Sequence, residues 1–211
     1  MVIILNDNLV DLAQNIFNKI LNSTKLELVT ISDIGTVTGG GTPSKKNSTY
    51  WNGNIPWISP KDLSNHIRLF TSHGENSITQ AGLKNSSTKL LPKNTILFSS
   101  RAPIGYLSIA KNQIATNQGF KSVIPDKGYP YWFIFELLKT ETPRLINEAN
   151  GSTFKEISGG QLKQHKVKIP KHTDIMKYNS TFDALFQKMN QLEKENDTLN
   201  QIKNNLLRKL F

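Results

Sequence analysis

Apolar positions in residues 8–21 recur at helical spacing. Leu9, Leu12, Ala13, Ile16, Phe17, Ile20 and Leu21 fall on one side of a predicted helix. Asn6 or Asp7 suits its N-terminal cap. So short a helix needs a surface to pack against. From residue 26 the pattern changes. Gly and Pro punctuate short runs rich in β-branched and aromatic residues. This predicts strands at Leu28–Ile34, Ile55–Ile58, Thr95–Ser99, Gly105–Ala110 and Lys121–Ile124. The run Tyr131-Trp132-Phe133-Ile134-Phe135, leading into Glu136-Leu137-Leu138, predicts one helix between Gly128 and Leu145, ended near Pro143. Past residue 178, Leu185, Leu192, Leu199 and Leu206 recur every seven residues. Phe182, Met189, Asn196, Lys203 and Leu210 hold the accompanying a positions. With no Gly or Pro after Pro170, this predicts a helix about 45 Å long at 1.5 Å per residue, paired as a coiled coil. Packing on the chain's own N-terminal helix, or on a second copy, are both open.

The fold class expected is α+β. Residues 1–25 form an N-terminal helical segment, and residues 26–177 a compact mixed α/β domain with an irregular, partly barrel-like sheet and long loops. Residues 178–211 form a long C-terminal coiled-coil helix, for which dimerisation is one use. The 18 aromatic residues suffice for a packed core, which excludes global disorder. No cysteine is present, so disulfides, cysteine zinc sites and a cysteine nucleophile are excluded. No membrane-length apolar run and no signal-peptide layout are seen, and the expectation is a soluble, cytoplasmic protein with no membrane partner.

The formal net charge of +10 is unevenly placed. Residues 1–30 carry −1, residues 31–177 carry +10 and residues 178–211 carry +1. The basic excess belongs to the middle domain, as it would in a nucleic-acid-binding body with non-binding ends. A solvated lysine surface would show the same balance.

Signatures of catalysis are missing. Gly39-Gly40-Gly41-Thr42-Pro43-Ser44-Lys45-Lys46 is Gly-rich but lacks the spacing of a phosphate-cradling loop. Ser44 stands where a dinucleotide fingerprint needs its third glycine. The segment reads as a flexible or strained turn. His66, His73, His165 and His172 lack the close spacing of a helical zinc pair, and no metal site is expected. Neither a nucleophile elbow nor an adenine-methyltransferase motif occurs.

Five polar clusters at predicted loops could meet DNA. Candidates are Thr42, Ser44, Lys45, Lys46 and Asn47; Lys61 after Ser59-Pro60; Ser99 and Arg101; Asn117, Gln118 and Lys121; and Ser152, Thr153 and Lys155. Lysines and hydroxyls suit phosphates, while Asn, Gln and Arg suit base edges. Arg101 stands out as one of only four arginines against 22 lysines. A surface ion pair is its plain alternative.

Several motifs in fixed order resemble a known family. Gly41-Thr42-Pro43-Ser44 is followed by Trp51-Asn52-Gly53-Asn54-Ile55-Pro56-Trp57-Ile58 and Lys61-Asp62-Leu63. Ile78-Thr79-Gln80-Ala81-Gly82-Leu83, Leu90-Leu91-Pro92 and Thr95 through Gly105 come next. Asn117-Gln118-Gly119, Asn150-Gly151-Ser152 and Val167-Lys168-Ile169-Pro170 complete the series. Together with the heptad helix they resemble a target recognition domain of the specificity (S) subunits of type I restriction–modification systems.

The resemblance implies a sequence-specific DNA-binding subunit that reads half of a bipartite site. Two recognition domains are normally joined by two antiparallel helices that set the spacing. It implies docking of modification (methyltransferase) subunits, which use S-adenosylmethionine; this chain itself would need no cofactor and catalyse nothing. Restriction (motor-nuclease) subunits can join that core. This chain departs from the pattern in having one recognition domain, as a half-subunit or the C-terminal half of a longer one. A half-subunit is expected to homodimerise through Phe182, Leu185, Met189, Leu192, Asn196, Leu199, Leu206 and Leu210, and to read a palindromic split site. Asn196 at an a position is more often associated with parallel pairing. Two competing readings are the recognition end of a fused methyltransferase–nuclease and a coiled-coil structural protein that binds DNA without preference.

Overall fold

The computed structural model describes residues 2–23, 25–65, 68–150 and 155–210. The elements in chain order are α1 (Val2–Ser23), β1 (Leu26–Thr30), α2 (Ile31–Ile34), β2 (Thr36–Gly39), a 3-10 turn (Ser48–Tyr50), β3 (Trp51–Ile58) and α3 (Pro60–Asn65). Then come β4 (Phe70–Thr71), β5 (Asn76–Ile78), α4 (Gln80–Lys84), β6 (Ile96–Ser100), β7 (Ile104–Ala110), β8 (Ala115–Thr116) and β9 (Lys121–Ile124). The chain ends with α5 (Tyr131–Glu148), α6 (Gly159–Gln164), β10 (Lys166–Pro170), α7 (His172–Met176) and α8 (Asn179–Leu210). Two compact units result, one from residues 27–169 and one from residues 1–26 with 170–211. No helix among the described residues is long and apolar enough to cross a membrane.

The larger unit is the mixed α/β body. Its main sheet runs β2-β9-β6-β7-β4, a second runs β5-β3-β8, and β1 pairs with β10. The sheets stay open, which corrects the partly barrel-like expectation: β2 and β4 end the five-stranded sheet as separate edges. Central β6 is buried along its whole length, and its apolar run Ile96-Leu97-Phe98 is what a strand covered on both faces requires. Helix α5 packs over β6 and β7. A cluster of Ile58, Leu63, Leu91, Leu97, Ala110, Ile114 and Phe120 forms a core of this unit.

Three expectations shift. Strand Leu28–Ile34 is instead β1 followed by a helical turn. The Asp33 carboxylate reaches back to the Thr30 N–H and hydroxyl, each at 2.7 Å, and ends the strand there. Those bonds from Thr30 hold the Asp33 carboxyl below its ordinary value. Helix α5 continues past Pro143. That proline lies on the exposed side, where the carbonyl it leaves unpaired can turn to water, while Leu145 keeps the buried face going. The Arg144 guanidinium also ties Glu141 and Glu148, both at 3.1 Å, across the same turn. His165, its side chain almost wholly buried, lies 2.8 Å from each of those two carboxylates. Burial works to raise the Glu148 carboxyl, but contacts from His165 and Arg144 outweigh it and hold the value low. Finally, α1 begins at Val2, so Asn6 and Asp7 lie inside it rather than at its cap.

In the smaller unit α1 packs against α8. The buried side of α1 carries Ala13, Phe17 and Ile20; that of α8 carries Phe182, Phe186, Met189 and Leu192. Phe186 is buried where the heptad pattern placed Leu185, which is only half-buried. The spacing of four, three and three follows the 3.6-residue period of a helix packed on its own chain. Beyond residue 194 the helix is mostly exposed, with Leu199, Ile202, Leu206 and Leu207 each about half accessible.

Candidate nucleic-acid interface

The Gly-rich segment leaves β2 at Gly39, opposite Lys121 of β9. Gly40 N–H then donates to the Phe120 carbonyl at 3.3 Å and Gly41 N–H to the Thr116 carbonyl at 2.8 Å. The approach is so close that a Cβ on Gly40 would lie 2.0 Å from the Asn117 carbonyl oxygen. The Trp57 indole N–H donates to the Gly41 carbonyl at 2.9 Å and that of Trp51 to the Ser44 carbonyl at 3.1 Å. The two indoles meet edge to face with centroids 5.2 Å apart. A loop that reads as free in sequence is therefore held at both ends.

This pinning joins it to the loop after β8. The Thr42 hydroxyl donates to the Gln118 side-chain carbonyl. Asn117 turns its oxygen inward to the Gly119 N–H at 2.8 Å, and its own N–H to Ile58 at 2.9 Å. Gly119 rests against Pro60, where a Cβ would stand 3.0 Å from the ring, so the start of α3 borders the same loop. There the Ser59 N–H and hydroxyl both donate to the Asp62 carboxylate at 2.7 Å. Lys61 is exposed and pairs with Glu75 at 3.1 Å.

On the other side of the loop stands a charged triad. Arg101 Nη1 lies 3.4 Å from Glu156 Oε2, and Lys121 Nζ lies 3.5 Å from Glu156 Oε1. Lys121 also donates to the Gln118 carbonyl at 3.2 Å. The triad is seated by the backbone, since Ile157 N–H donates to the Ser100 carbonyl at 2.9 Å. Arg101 thus does make the surface ion pair that was its plain alternative, but with an acid 55 residues away.

The structure brings together Thr42, Gln118, Asn117, Lys121 and Arg101, with Lys61 adjoining through Pro60. Ser44, Lys45 and Lys46 are exposed on the pinned loop. Asn47 uses its side-chain oxygen to cap the 3-10 turn, accepting from Thr49 N–H at 3.1 Å and Thr49 hydroxyl at 2.7 Å. Ser99 reaches no surface. It is fully buried, donates to the Pro103 carbonyl at 2.8 Å and accepts from Tyr106 N–H at 2.7 Å, so its place is in the scaffold. Lys155 is exposed, and Ser152 and Thr153 lie outside the described residues. Glu156 was missed because no local pattern marks an acid as the partner of two distant cations.

Of the coiled-coil candidates, Phe182, Met189 and Leu192 are buried within the chain. Leu185 and Asn196 are partly buried, and Leu199 and Leu206 are exposed. Leu210 ends α8, and its side chain lies outside what the structure describes.

Residues 24–205 match the family model of the type I restriction modification DNA specificity domain. The chain is 41% identical over 183 residues to the type I restriction enzyme MjaIX specificity subunit of Methanocaldococcus jannaschii, covering 86% of this chain and 42% of that protein. It is 32% identical over 171 residues to the EcoR124I/EcoR124II specificity subunit of Escherichia coli, covering 76% and 42%. The chain thus spans about two fifths of the length of these relatives. Its fold is similar to the crystal structure of the type I restriction–modification S subunit from M. genitalium, with TM-score 0.69 and 18% identity over 100% of this chain and 55% of that one.

Proposed function

Because the chain belongs to the type I restriction modification DNA specificity family, we propose that its larger unit reads one half of a split double-stranded DNA site for a methyltransferase complex. The observation that carries this reading is the seating of Thr42, Gln118 and Lys121 at one loop pair held by Trp51 and Trp57, with Arg101 joined to Lys121 through Glu156. Side chains that read bases must be presented by rigid backbone, and that pinning supplies it. The role is recognition. Bond-making would belong to modification subunits carrying S-adenosylmethionine, with restriction subunits joining them. The domain division at residues 25 and 177 belongs to the same reading, with the terminal segments serving as spacer.

Self-association is the second part of the reading. Leu199, Ile202 and Leu206 are spaced three and four apart on the exposed half of α8, an apolar stripe that a second copy would cover. Leu206→Asn is expected to weaken the dimer about thirtyfold, since burial of half a leucine side chain is worth about 1 kcal/mol in each of the two copies. Sedimentation velocity across a concentration series measures this; an unchanged monomer–dimer balance removes the stripe from the interface.

Arg101→Ala is expected to lower DNA affinity about tenfold and the salt slope by about one. An unchanged affinity together with an unchanged slope would place Arg101 off the DNA. The deciding experiment is a methylation map from cells co-expressing the chain with a cognate modification subunit. A palindromic split motif supports recognition by a homodimer, and an asymmetric split motif supports recognition beside a different specificity chain. Absence of any motif, with both proteins soluble and associated, overturns the reading.

A further inference from the structure

We propose that Glu156 and Arg101 together read one G·C base pair, with Lys121 holding the carboxylate in place; this rests on the DNA-recognition reading above. An acid between two cations, Arg101 and Lys121, opposes phosphate binding there, so on a DNA-reading surface it needs a reason. The major-groove edge of a G·C pair offers one. Guanine presents two acceptors, O6 and N7, and cytosine presents one donor, its amino group. An arginine beside a carboxylate is complementary to that edge, with donors facing guanine and an acceptor facing cytosine. No A·T pair offers the same order of groups.

The geometry carries the pairing. Arg101 and Glu156 side chains are 40% and 38% exposed, and Lys121 is 17% exposed. Arg101 uses one guanidinium nitrogen on Glu156, which leaves most of its five N–H donors for a base. Glu156 is held through the backbone as well. Its N–H donates to the Asn150 carbonyl at 2.9 Å and its backbone bridges to Arg101, which fixes the backbone that bears the carboxylate. The same carboxylate lowers the net charge at this point from two to one, which disfavours a bare phosphate there. Glu156 thereby contributes to discrimination twice, by accepting from cytosine and by weakening sequence-blind binding.

The test compares wild type, Arg101→Ala and Glu156→Gln in the complex with a modification subunit, using motif selection from a randomised duplex pool and binding to one scrambled duplex. Glu156→Gln is expected to relax one G·C position about tenfold, the same position that Arg101→Ala relaxes, and to raise affinity for the scrambled duplex about fivefold. A motif and a scrambled-duplex affinity unchanged by Glu156→Gln overturn the inference while the recognition reading stands. Relaxation at different positions by the two variants also overturns it. A wild-type complex with no motif brings down both. Should Glu156→Gln melt well below wild type, Glu156→Asp decides. It keeps the charge with a shorter reach and is expected to lower the G·C preference about fivefold at that position alone; full preference overturns the inference.

Discussion

Gly40→Ala is expected to weaken binding of target DNA by more than about a hundredfold. The added Cβ would lie 2.0 Å from the Asn117 carbonyl oxygen, 2.4 Å from the Thr116 hydroxyl and 2.5 Å from the Thr116 carbonyl oxygen. Two of these three atoms are backbone, so the clash cannot be relieved by a rotamer change. The loop must lift, opening the bonds from Gly40 to Phe120 and from Gly41 to Thr116. Overpacking of this kind costs about 1–3 kcal/mol, and the upper end corresponds to a hundredfold in affinity when the displaced atoms carry the interface. Thr42 would then move away from Gln118, and the presented surface would be lost. Gly39→Ala is the control. Its Cβ meets only Lys121 Cδ at 3.9 Å, an ordinary contact, so near-wild-type binding is expected. Binding isotherms and thermal melts of both variants check this. Equal behaviour of the two would mean that the close approach at Gly40 does not set the surface.

Glu136→Gln is expected to stabilise the protein by about 3 kcal/mol at pH 8 and to change little near pH 4.5. Glu136 lies on the buried side of α5 between Phe135 and Leu137, only 1% exposed, and its Oε2 has no hydrogen-bond partner. Burial pushes its carboxyl up to about 7, with Lys139 pulling the other way. The folded value thus exceeds the unfolded one near 4.5. The folded state binds the proton more tightly, so this group's contribution is fully present below pH 4.5. It is lost as pH rises through 7, at about 1.4 kcal/mol per pH unit. Gln has no proton to lose, so the variant escapes that decline. Urea unfolding at pH 4.5, 6 and 8 gives the difference directly. A gap that does not widen with pH would show that burial does not raise the Glu136 carboxyl above its unfolded value.

Much of the scaffold was legible in the chain because its signals are local. The β-branched and apolar runs mark β6, β7 and β9 to within about a residue, and the aromatic run marks α5. The motif order from Gly41 to Pro170 identified the family, which the match over residues 24–205 shows. Local signals failed where a single side chain redirected the backbone, as Asp33 does at Thr30, and where burial outweighed a breaker, as Leu145 does beside Pro143.

What the sequence by itself determined is the alternation of strand and helix periods, the concentration of positive charge in the middle of the chain, and the family. The first two are sums over neighbouring residues, and the family rests on the order of short motifs along the chain. The tertiary structure alone decided that Phe186 rather than Leu185 is buried, that Ser99 belongs to the scaffold, and that Glu156 meets Arg101 and Lys121. Those facts depend on which distant segments the chain brings within a few ångströms, and side-chain chemistry at one position carries no record of a partner 55 residues away.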